Sequence, residues 1–176
     1  MGYSKLNIVL FEPEIHTNVG AIMRTASALN AKLHLIEPFG FFFDERFEKS
    51  LNRSSANNVK NVNYTLYDDW NDFIQKHPNK NFYFSTRYAQ KIYTDFNFQE
   101  NKEEFFLIFG KESTGIPIPI LKQHLENCMR IPMQDNVRSL NLSNSVSIIS
   151  YEILRQLNFE NLAKKEVQKG PNFLLK

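Results

Sequence analysis

Five small polar side chains lie close together near the C-terminal end of the chain and could bind a small ligand. The segment reads SLNLSNS, and its polar members are Ser139, Asn141, Ser143, Asn144 and Ser145. A helix that begins here needs one capping side chain to accept from its free backbone N–H groups. The remaining side chains either satisfy nearby turns of the backbone or line a polar pocket for a ligand.

The segment TNVGAIMRT, residues 17–25, predicts an amphipathic helix that carries one cation away from the core. Thr17 or Asn18 is expected to cap it. At about 100° per residue Arg24 lies roughly 200° from Ile22, which belongs to the apolar stripe. Arg24 is therefore expected to face a partner, or to form a weak ion pair at the surface.

The segment FGKESTG, residues 109–115, follows a predicted strand and contains two of the six glycines. It is not a Walker A loop, because that motif needs a glycine where Phe105 stands, and no G-x-G-x-x-G pattern follows the first strand. Gly110 and Gly115 enclose Glu112 at the end of a strand, where α/β proteins usually bind ligands. The alternative is an ordinary strand-to-helix turn with Glu112 as a solvated charge.

The elements that must position these residues alternate along the chain. Apolar runs predict strands, and apolar residues at helical spacing predict helices between them. The alternation favours an α/β fold with a mostly parallel sheet flanked by helices. The predicted strands are 6–11, 32–36, 61–67, 81–85, 104–109 and 129–133, and the predicted helices are 17–30, 68–77, 117–127 and 145–159.

Length and composition favour one globular domain, expected at 1–159, with a lysine-rich C-terminal tail at 160–176. The net charge of +2 permits a polyanionic partner without requiring one. Cys128 is the only cysteine, which excludes an internal disulfide, and the four histidines lack zinc-site spacing, so no metal is expected. With no signal peptide or 18-residue apolar run, a cytoplasmic protein is expected and a membrane partner is not.

The last predicted helix has an unusually wide apolar face, which suggests burial on two sides. It is either a central helix of the monomer core or a helix shared between the core and a dimer interface. Its main stripe is Val146, Ile149, Ile153 and Leu157, widened by Ile148, Tyr151 and Leu154.

Three segments, in this order, carry a family resemblance: NVGAIMRT, FGKESTGIP and RIPMQDNVRSLNLSNSVSIISYE. Together they resemble the three motifs of the SPOUT superfamily of knotted RNA methyltransferases. The fragments LFEPEIHTNVG, LHLIEPFGF and YEILRQL are similar to the YibK/TrmL group, the tRNA wobble-nucleotide 2′-O-methyltransferases. The resemblance covers residues 6–159.

This resemblance implies an α/β fold with a C-terminal trefoil knot, a homodimer, S-adenosylmethionine as cofactor and the anticodon stem-loop of a tRNA as partner. Such a knot departs from the usual rule that protein chains are not knotted. The implied cofactor-binding residues are Ser85, Thr86, Gly110, Ile131, Ser139 and Leu140.

The resemblance also implies catalytic roles for Asn18, Arg24, Glu112, Ser139 and Asn141. Arginine stays protonated in proteins and is a poor base, so Arg24 is assigned to the phosphate beside the target ribose and to developing alkoxide charge, while the proton acceptor stays open. The chain departs from the family pattern at NVGA, where N-T-G-N is common.

Another departure is Asn57-Asn58, where many relatives have Asp-Tyr, and it bears on the choice of tRNA. Two alternative functions are a ribosomal RNA ribose 2′-O-methyltransferase and a non-catalytic knotted RNA-binding protein. The presence of Arg24, Glu112 and Asn141 disfavours the non-catalytic protein. A start of the first strand near Leu6 fits a tRNA substrate better, because ribosomal enzymes commonly carry an extra N-terminal domain.

Overall fold

A seven-stranded parallel sheet forms the centre of the protein. The computed structural model describes residues 5–44, 47, 62–100 and 103–175. The strands are β1 Leu6–Phe11, β2 Lys32–Ile36, β3 Tyr64–Tyr67, β4 Asn81–Ser85, β5 Lys91–Ile92, β6 Phe105–Phe109 and β7 Cys128–Arg130. The strand order is β3-β2-β1-β6-β4-β7-β5, and every pairing is parallel.

Helices cover both faces of this sheet. Among the described residues, the α-helices are α1 His16–Leu29, α2 Trp70–Lys76, α3 Ile118–Lys122 and α4 Leu142–Gln156. One apolar cluster joins the sheet to α1 and α4, and the other joins it to α2 and α3. Because both faces are covered, β1 and β6 are buried along their whole length, as expected for central parallel strands.

The predicted α/β class with a mostly parallel sheet is confirmed. Strands 6–11, 32–36 and 81–85 agree residue for residue with β1, β2 and β4. The two-residue strand β5 was missed, since it is too short to carry a periodic pattern. The helix predicted at 117–127 was too long, because α3 ends at Lys122 and a short 3-10 helix, Leu125–Asn127, follows it.

The final helix begins three residues earlier than predicted. Val146, Ile149 and Ile153 are buried against the core, as the main stripe predicted. Ile148 is 37% exposed and Tyr151 49% exposed. A single chain therefore buries only part of the wide apolar face of α4.

A buried chain of polar groups crosses the sheet from β1 to the end of α2. The Asn7 side-chain amide donates to the Phe105 carbonyl at 3.3 Å, so the Asn7 oxygen is free to accept from His34 Nε2 at 3.1 Å. His34 Nδ1 then accepts from the Tyr67 hydroxyl at 2.7 Å, and Tyr67 accepts from His77 Nε2 at 2.9 Å. Burial lowers the pKa of His34 to about 3, so His34 is neutral in the folded protein.

Asn57 and Asn58, the departure expected to affect the choice of tRNA, lie outside the described residues. Within the described part, no helix has the length and apolar character required to cross a membrane.

Candidate active site

A cavity of about 550 Å³ opens at the carboxyl-terminal edge of the sheet. Its walls are the loops that follow β4, β6 and β7, together with the first turn of α1. Parallel sheets bind ligands at this edge, and the volume lies within the range of about 300 to 1,000 Å³ typical of small-molecule sites. The residues predicted to bind a cofactor all line this one cavity: Ser85, Thr86, Gly110, Ile131, Ser139 and Leu140.

The loop after β6 is held by a close approach of two glycines. A Cβ on Gly110 would lie 2.2 Å from the carbonyl carbon of Gly115 and 2.4 Å from the Ile116 nitrogen. Gly115 has a φ of +75° and donates its N–H to the Lys111 carbonyl at 2.9 Å. The backbone therefore folds tightly on itself, and this turn directs Glu112 towards α1.

A chain of hydrogen bonds joins Glu112 to the N-terminus of α4. Asn18 Nδ2 donates to Glu112 Oε1 at 2.7 Å, and Asn141 Nδ2 donates to Asn18 Oδ1 at 2.9 Å. Asn141 Oδ1 accepts from the Ser143 backbone N–H at 2.9 Å and from the Ser143 hydroxyl at 2.7 Å. Four residues from three separate segments thus form one continuous network.

The direction of every bond in this network is determined by its two ends. The Glu112 carboxylate can only accept, so Asn18 must present its NH₂ group to Glu112 and its oxygen to Asn141. At the other end the Ser143 N–H can only donate, so Asn141 must present its oxygen to Ser143. Asn141 Nδ2 carries two hydrogens, and Asn18 takes one of them. The second can reach a ligand in the cavity.

Glu112 accepts a second strong hydrogen bond. The Glu14 backbone N–H donates to Glu112 Oε2 at 2.8 Å, so each carboxylate oxygen has its own donor. Charge-assisted bonds of this kind are about twice as strong as neutral ones. Glu112 is therefore held in one orientation.

A further set of contacts ties the same three segments together. Ser113 donates from its N–H at 2.8 Å and from its hydroxyl at 2.7 Å to the Glu14 carboxylate, and these bonds lower the pKa of Glu14. Arg138 Nη2 donates to the Ser113 carbonyl at 2.8 Å. Lys111 pairs with Glu12 at 2.6 Å, and the hydrogen bond to Glu12 raises the pKa of Lys111.

The predicted capping pattern is partly wrong. Ile15 occupies the N-cap of α1, and neither Thr17 nor Asn18 caps the helix, because both lie within its first turn. Asn18 is only 6% exposed and uses its side chain for Glu112 and Asn141 instead. Asn141 is the cap of α4, so the capping residue is itself part of the candidate site.

The structure brings together four of the five predicted catalytic residues but not Arg24. Asn18, Glu112, Ser139 and Asn141 line the cavity. Arg24 is exposed, as its helical position predicted, and has no hydrogen-bond or ion-pair partner among the described residues. It lies six residues beyond Asn18, about 9 Å along the helix axis, and is not part of the cavity wall of its own chain.

Sequence reasoning missed several residues of the site and its surroundings. Glu14 could have been noticed as an acidic residue between the end of β1 and the start of α1. Arg87 and Tyr88 could have been noticed directly after Ser85 and Thr86 at the end of β4. Arg138 gave no local signal, because its contact with Ser113 depends on the tertiary fold.

The described residues contain no group of three or more histidine, cysteine, aspartate or glutamate side chains placed to hold a metal ion. The hydrogen-bond network of the candidate site consists of two side-chain amides, a carboxylate, a hydroxyl and backbone N–H groups.

Comparison with known proteins gives a family and several relatives. The model of the SpoU rRNA methylase family matches residues 5–151. A Geobacillus stearothermophilus protein assigned as a tRNA (cytidine(34)-2′-O)-methyltransferase is 44% identical over 158 residues, which cover 90% of this chain and 99% of the relative.

Solved structures agree with this comparison. A structure described as giving insight into 2′-OH methylation of C/U34 on tRNA has a TM-score of 0.78 and 33% identity, covering 88% of this chain and 97% of its own. The SpoU methyltransferase AviRb of Streptomyces viridochromogenes, in complex with AdoMet, has a TM-score of 0.73. At 22% identity, with 90% of this chain and 60% of AviRb covered, that likeness concerns the fold alone.

Proposed function

The chain belongs to the SpoU rRNA methylase family, and from this premise we propose that it methylates the ribose 2′-hydroxyl of the wobble nucleotide of a tRNA, with S-adenosylmethionine as methyl donor. The observation that carries the proposal is the Glu112–Asn18–Asn141 network at the cavity. The relatives that cover almost the whole chain are described by methylation at cytidine or uridine 34 of tRNA, which favours this substrate over ribosomal RNA.

The cavity fits S-adenosylmethionine in size and in chemistry. The cavity lining includes the apolar side chains of Ile131 and Leu140 and the hydroxyls of Ser85 and Ser139, a combination that suits an adenine joined to a ribose. Glycine at position 110 lets the loop after β6 fold tightly on itself at the cavity wall. When bound, the cofactor supplies an electrophilic methyl group on a sulfonium. Thr86 completes the proposed binding set.

The polar network positions the accepting ribose. Transfer to a hydroxyl needs a closely aligned approach, and alignment alone can lower a barrier by several kcal/mol, about 7 to 11 in favourable cases. We assign the free hydrogen of Asn141 Nδ2 and the hydroxyl of Ser139 to orienting the ribose oxygens. Asn18 holds Asn141 in place.

Glu112 is proposed as a positioning residue rather than as a general base. Both of its oxygens accept short hydrogen bonds, from Asn18 and from the Glu14 backbone. These two donors come from α1 and from the segment before it, so they fix the carboxylate against the Asn18 amide. Its role is instead to fix the orientation of Asn18 and, through it, of Asn141.

Arg24 keeps its proposed contact with a phosphate beside the target ribose. Its exposure and its lack of a partner in the described structure support this assignment. Because Arg24 does not line the cavity of its own chain, we propose that it serves the cavity of a second copy in a homodimer.

The homodimer is supported by the exposed part of α4. Ile148 and Tyr151 lie one turn apart, and Thr25 of α1 packs beside the same helix through a 3.4 Å contact with Ser147. Burying this apolar surface in a symmetric interface would remove it from water.

Three finer expectations also belong to this proposal. The first is that residues 1–159 form the catalytic domain and 160–176 a peripheral tail. The second is that the C-terminal part is threaded as a trefoil knot, which is supported by the loops after β6 and β7 lining one cavity and meeting through Arg138 and Ser113. The third is a cytoplasmic location, where tRNA is modified.

Mass spectrometry of tRNA nucleosides from cells with and without the gene tests the function. We expect the 2′-O-methylated wobble nucleotide to disappear without the gene and to return with the wild-type chain, but not with Asn141→Ala. Unchanged tRNA with loss of a ribosomal RNA methyl group would instead identify a ribosomal enzyme. Unchanged methylation of both RNAs, with RNA binding retained, would identify a non-catalytic protein.

A further inference from the structure

We infer that Arg87 and Tyr88 form a stacking platform for a nucleobase of the single-stranded anticodon loop, next to the nucleotide that is methylated. This inference rests on the proposed function, since it assigns a recognition element to the same cavity. Both residues line the cavity at the end of β4, immediately after Ser85 and Thr86.

The platform is built on an anchored turn. The Thr86 N–H donates to the Met129 carbonyl at 2.9 Å, which extends the pairing of β4 with β7. Ala89 is buried in the core and donates its N–H to the Thr86 carbonyl at 3.4 Å. The two ends of the turn are thus held by the sheet and the core, while Arg87 and Tyr88 occupy its exposed tip.

The two side chains at the tip hold each other in one arrangement. The Arg87 guanidinium lies 4.9 Å from the centroid of the Tyr88 ring, and its Nη2 donates to the Tyr88 hydroxyl at 3.1 Å. Tyr88 is 59% exposed. A large aromatic ring that is fixed in place but left open to solvent is suited to stacking, because little side-chain entropy is lost when a planar ligand binds.

The charge around the platform favours a polyanion. Arg87, Lys111 and Arg138 line the cavity, whereas Glu112 is the only carboxylate among its described lining residues. Lys111 is already paired with Glu12. Within the described part of the chain, Arg87 has no carboxylate partner, and its hydrogen-bond and cation–π contacts are with Tyr88 alone, so its charge remains available to a phosphate.

An RNA loop supplies the matching ligand. Sequence-specific RNA recognition mostly uses unstacked bases that stack on aromatic rings or on arginine planes. A ribose can enter the cavity only if its nucleotide leaves the stack of the loop, and this exposes the face of a neighbouring base. Tyr88 at the rim would cover that face, while Arg87 would contact the adjoining phosphate.

The test uses the full-length enzyme and an unmodified anticodon stem-loop RNA. We expect Tyr88→Ala to raise the KM for this RNA by about five- to a hundredfold, the range for loss of one stacked base, with the Kd for S-adenosylmethionine unchanged. Tyr88→Phe and Tyr88→Trp should restore the KM, because both keep an aromatic face. Phe173→Ala is the matched control, since Phe173 also lies under a cation, Lys169, but does not line the cavity.

A fluorescent base gives a direct reading of stacking. We expect 2-aminopurine placed beside the target nucleotide to be quenched on binding the wild type and Tyr88→Phe, but not on binding Tyr88→Ala. Arg87→Gln should reduce the slope of RNA affinity against salt concentration by about one.

Two results would overturn the platform. A KM for RNA and a fluorescence quenching in Tyr88→Ala that both equal those of the wild type would do so. A raised Kd for the cofactor with an unchanged KM for RNA would also do so, because it would assign Tyr88 to the adenine. Failure of the wild type to methylate any tRNA would instead refute the proposed function.

Discussion

Asn141 donates its side-chain amide to Asn18 across 2.9 Å, although the two residues are 123 positions apart in the sequence. Asn18 belongs to the first turn of α1, and Asn141 caps α4. This bond joins the first and last motifs of the chain at the cavity, and Glu112 completes it from the loop after β6.

Asn18→Asp should damage both activity and stability at neutral pH. The change replaces a donor with a carboxylate oxygen near Glu112 Oε1, where the present separation is 2.7 Å. Two carboxylates this close cannot both stay ionised, so the pKa of the pair is raised. Misplacing Asn141 should reduce turnover about a hundredfold.

The pH dependence identifies the cause of that loss. A raised pKa in the folded state means that the folded variant binds more protons than the unfolded chain, so its stability should rise as the pH falls from about 8 towards about 5. Thermal melts across this range, with wild type and Asn79→Asp as controls, measure it. Asn79 is exposed, so its replacement adds the same charge without a carboxylate neighbour of this kind. If the melting temperatures of Asn18→Asp and Asn79→Asp changed with pH in parallel, the proposed network would be contradicted.

Gly110→Ala should be more destabilising than Gly115→Ala. The new Cβ on Gly110 would fall on backbone atoms of Gly115 and Ile116, which cannot rotate away as a side chain can. We expect a loss of about 3 kcal/mol in the free energy of unfolding, together with loss of cofactor binding.

Gly115 provides a matched comparison for that variant. It has a φ of +75°, but a Cβ added there would meet no atom within 4 Å, so alanine costs only the strain of a left-handed backbone, about 1 kcal/mol. Denaturant unfolding and calorimetry with S-adenosylmethionine measure both effects. Equal losses in the two variants would show that the close approach at Gly110 does not matter.

Arg24→Ala should separate binding from chemistry. Turnover should fall about a hundred- to a thousandfold, as for loss of one charge-assisted contact in the transition state, while the cofactor Kd stays near the wild-type value. Arg24→Lys should rescue poorly, because an ammonium lacks the planar fork of a guanidinium. Arg155→Ala is the control, since Arg155 is a surface residue paired with Glu152. Near-normal turnover in Arg24→Ala would remove Arg24 from the mechanism.

Mixed dimers decide which cavity Arg24 serves. A hybrid of one Arg24→Ala chain and one Asn141→Ala chain should regain activity at one of its two sites, because Arg24 of the second chain would reach the intact cavity of the first. If Arg24 acted within its own chain, both sites of the hybrid would be inactive. Hybrids purified with two different affinity tags and assayed for methyl transfer distinguish these outcomes.

Ile148→Glu should convert the proposed dimer into monomers. The charge would be placed in the centre of the exposed apolar face of α4, next to Tyr151, where an interface would have to bury it. Light scattering at micromolar concentration measures the mass. Leu174→Glu, at a residue that is 92% exposed in the tail, should leave the dimer intact. A monomer mass for the wild type would refute the homodimer.

The protein should lose stability in mild acid because of His34. In an unfolded chain histidine takes up its proton near pH 6.5, but burial lowers the pKa of folded His34 to about 3. Between these values the unfolded chain binds the extra proton, so the free energy of unfolding should fall by about 1.4 kcal/mol per pH unit as the pH drops. The full contribution of His34 to the free energy of unfolding is present above about pH 6.5.

Urea unfolding between about pH 7 and about pH 4 measures this slope. His34→Leu should be less stable at neutral pH, because Asn7 and Tyr67 lose their partner, but its slope should be smaller. The slope that remains in His34→Leu would come from other groups such as His77, whose pKa is also lowered by burial. Equal slopes in the two proteins would show that His34 does not control acid stability.

Local patterns in the sequence predicted most strands of the sheet and the residue types of the site. Long apolar runs such as LNIVLF and NFYFS predicted β1 and β4 at their observed bounds, because burial on both faces requires an unbroken apolar segment. Helical spacing predicted that Arg24 points away from the core, because the direction of a side chain around a helix depends on residue spacing alone. The three motifs supplied Asn18, Glu112, Ser139 and Asn141, which line the cavity.

How those side chains are used depends on the tertiary structure. Asn18 was expected as a possible cap, but the strand order sets β1 beside β6, and this places Glu112 next to α1. Arg24 was grouped with the same site, yet its position along α1 takes it off the cavity wall. Local patterns encode periodicity and burial, whereas hydrogen bonds across 94 and 123 residues depend on which strands become neighbours, and no local pattern specifies that.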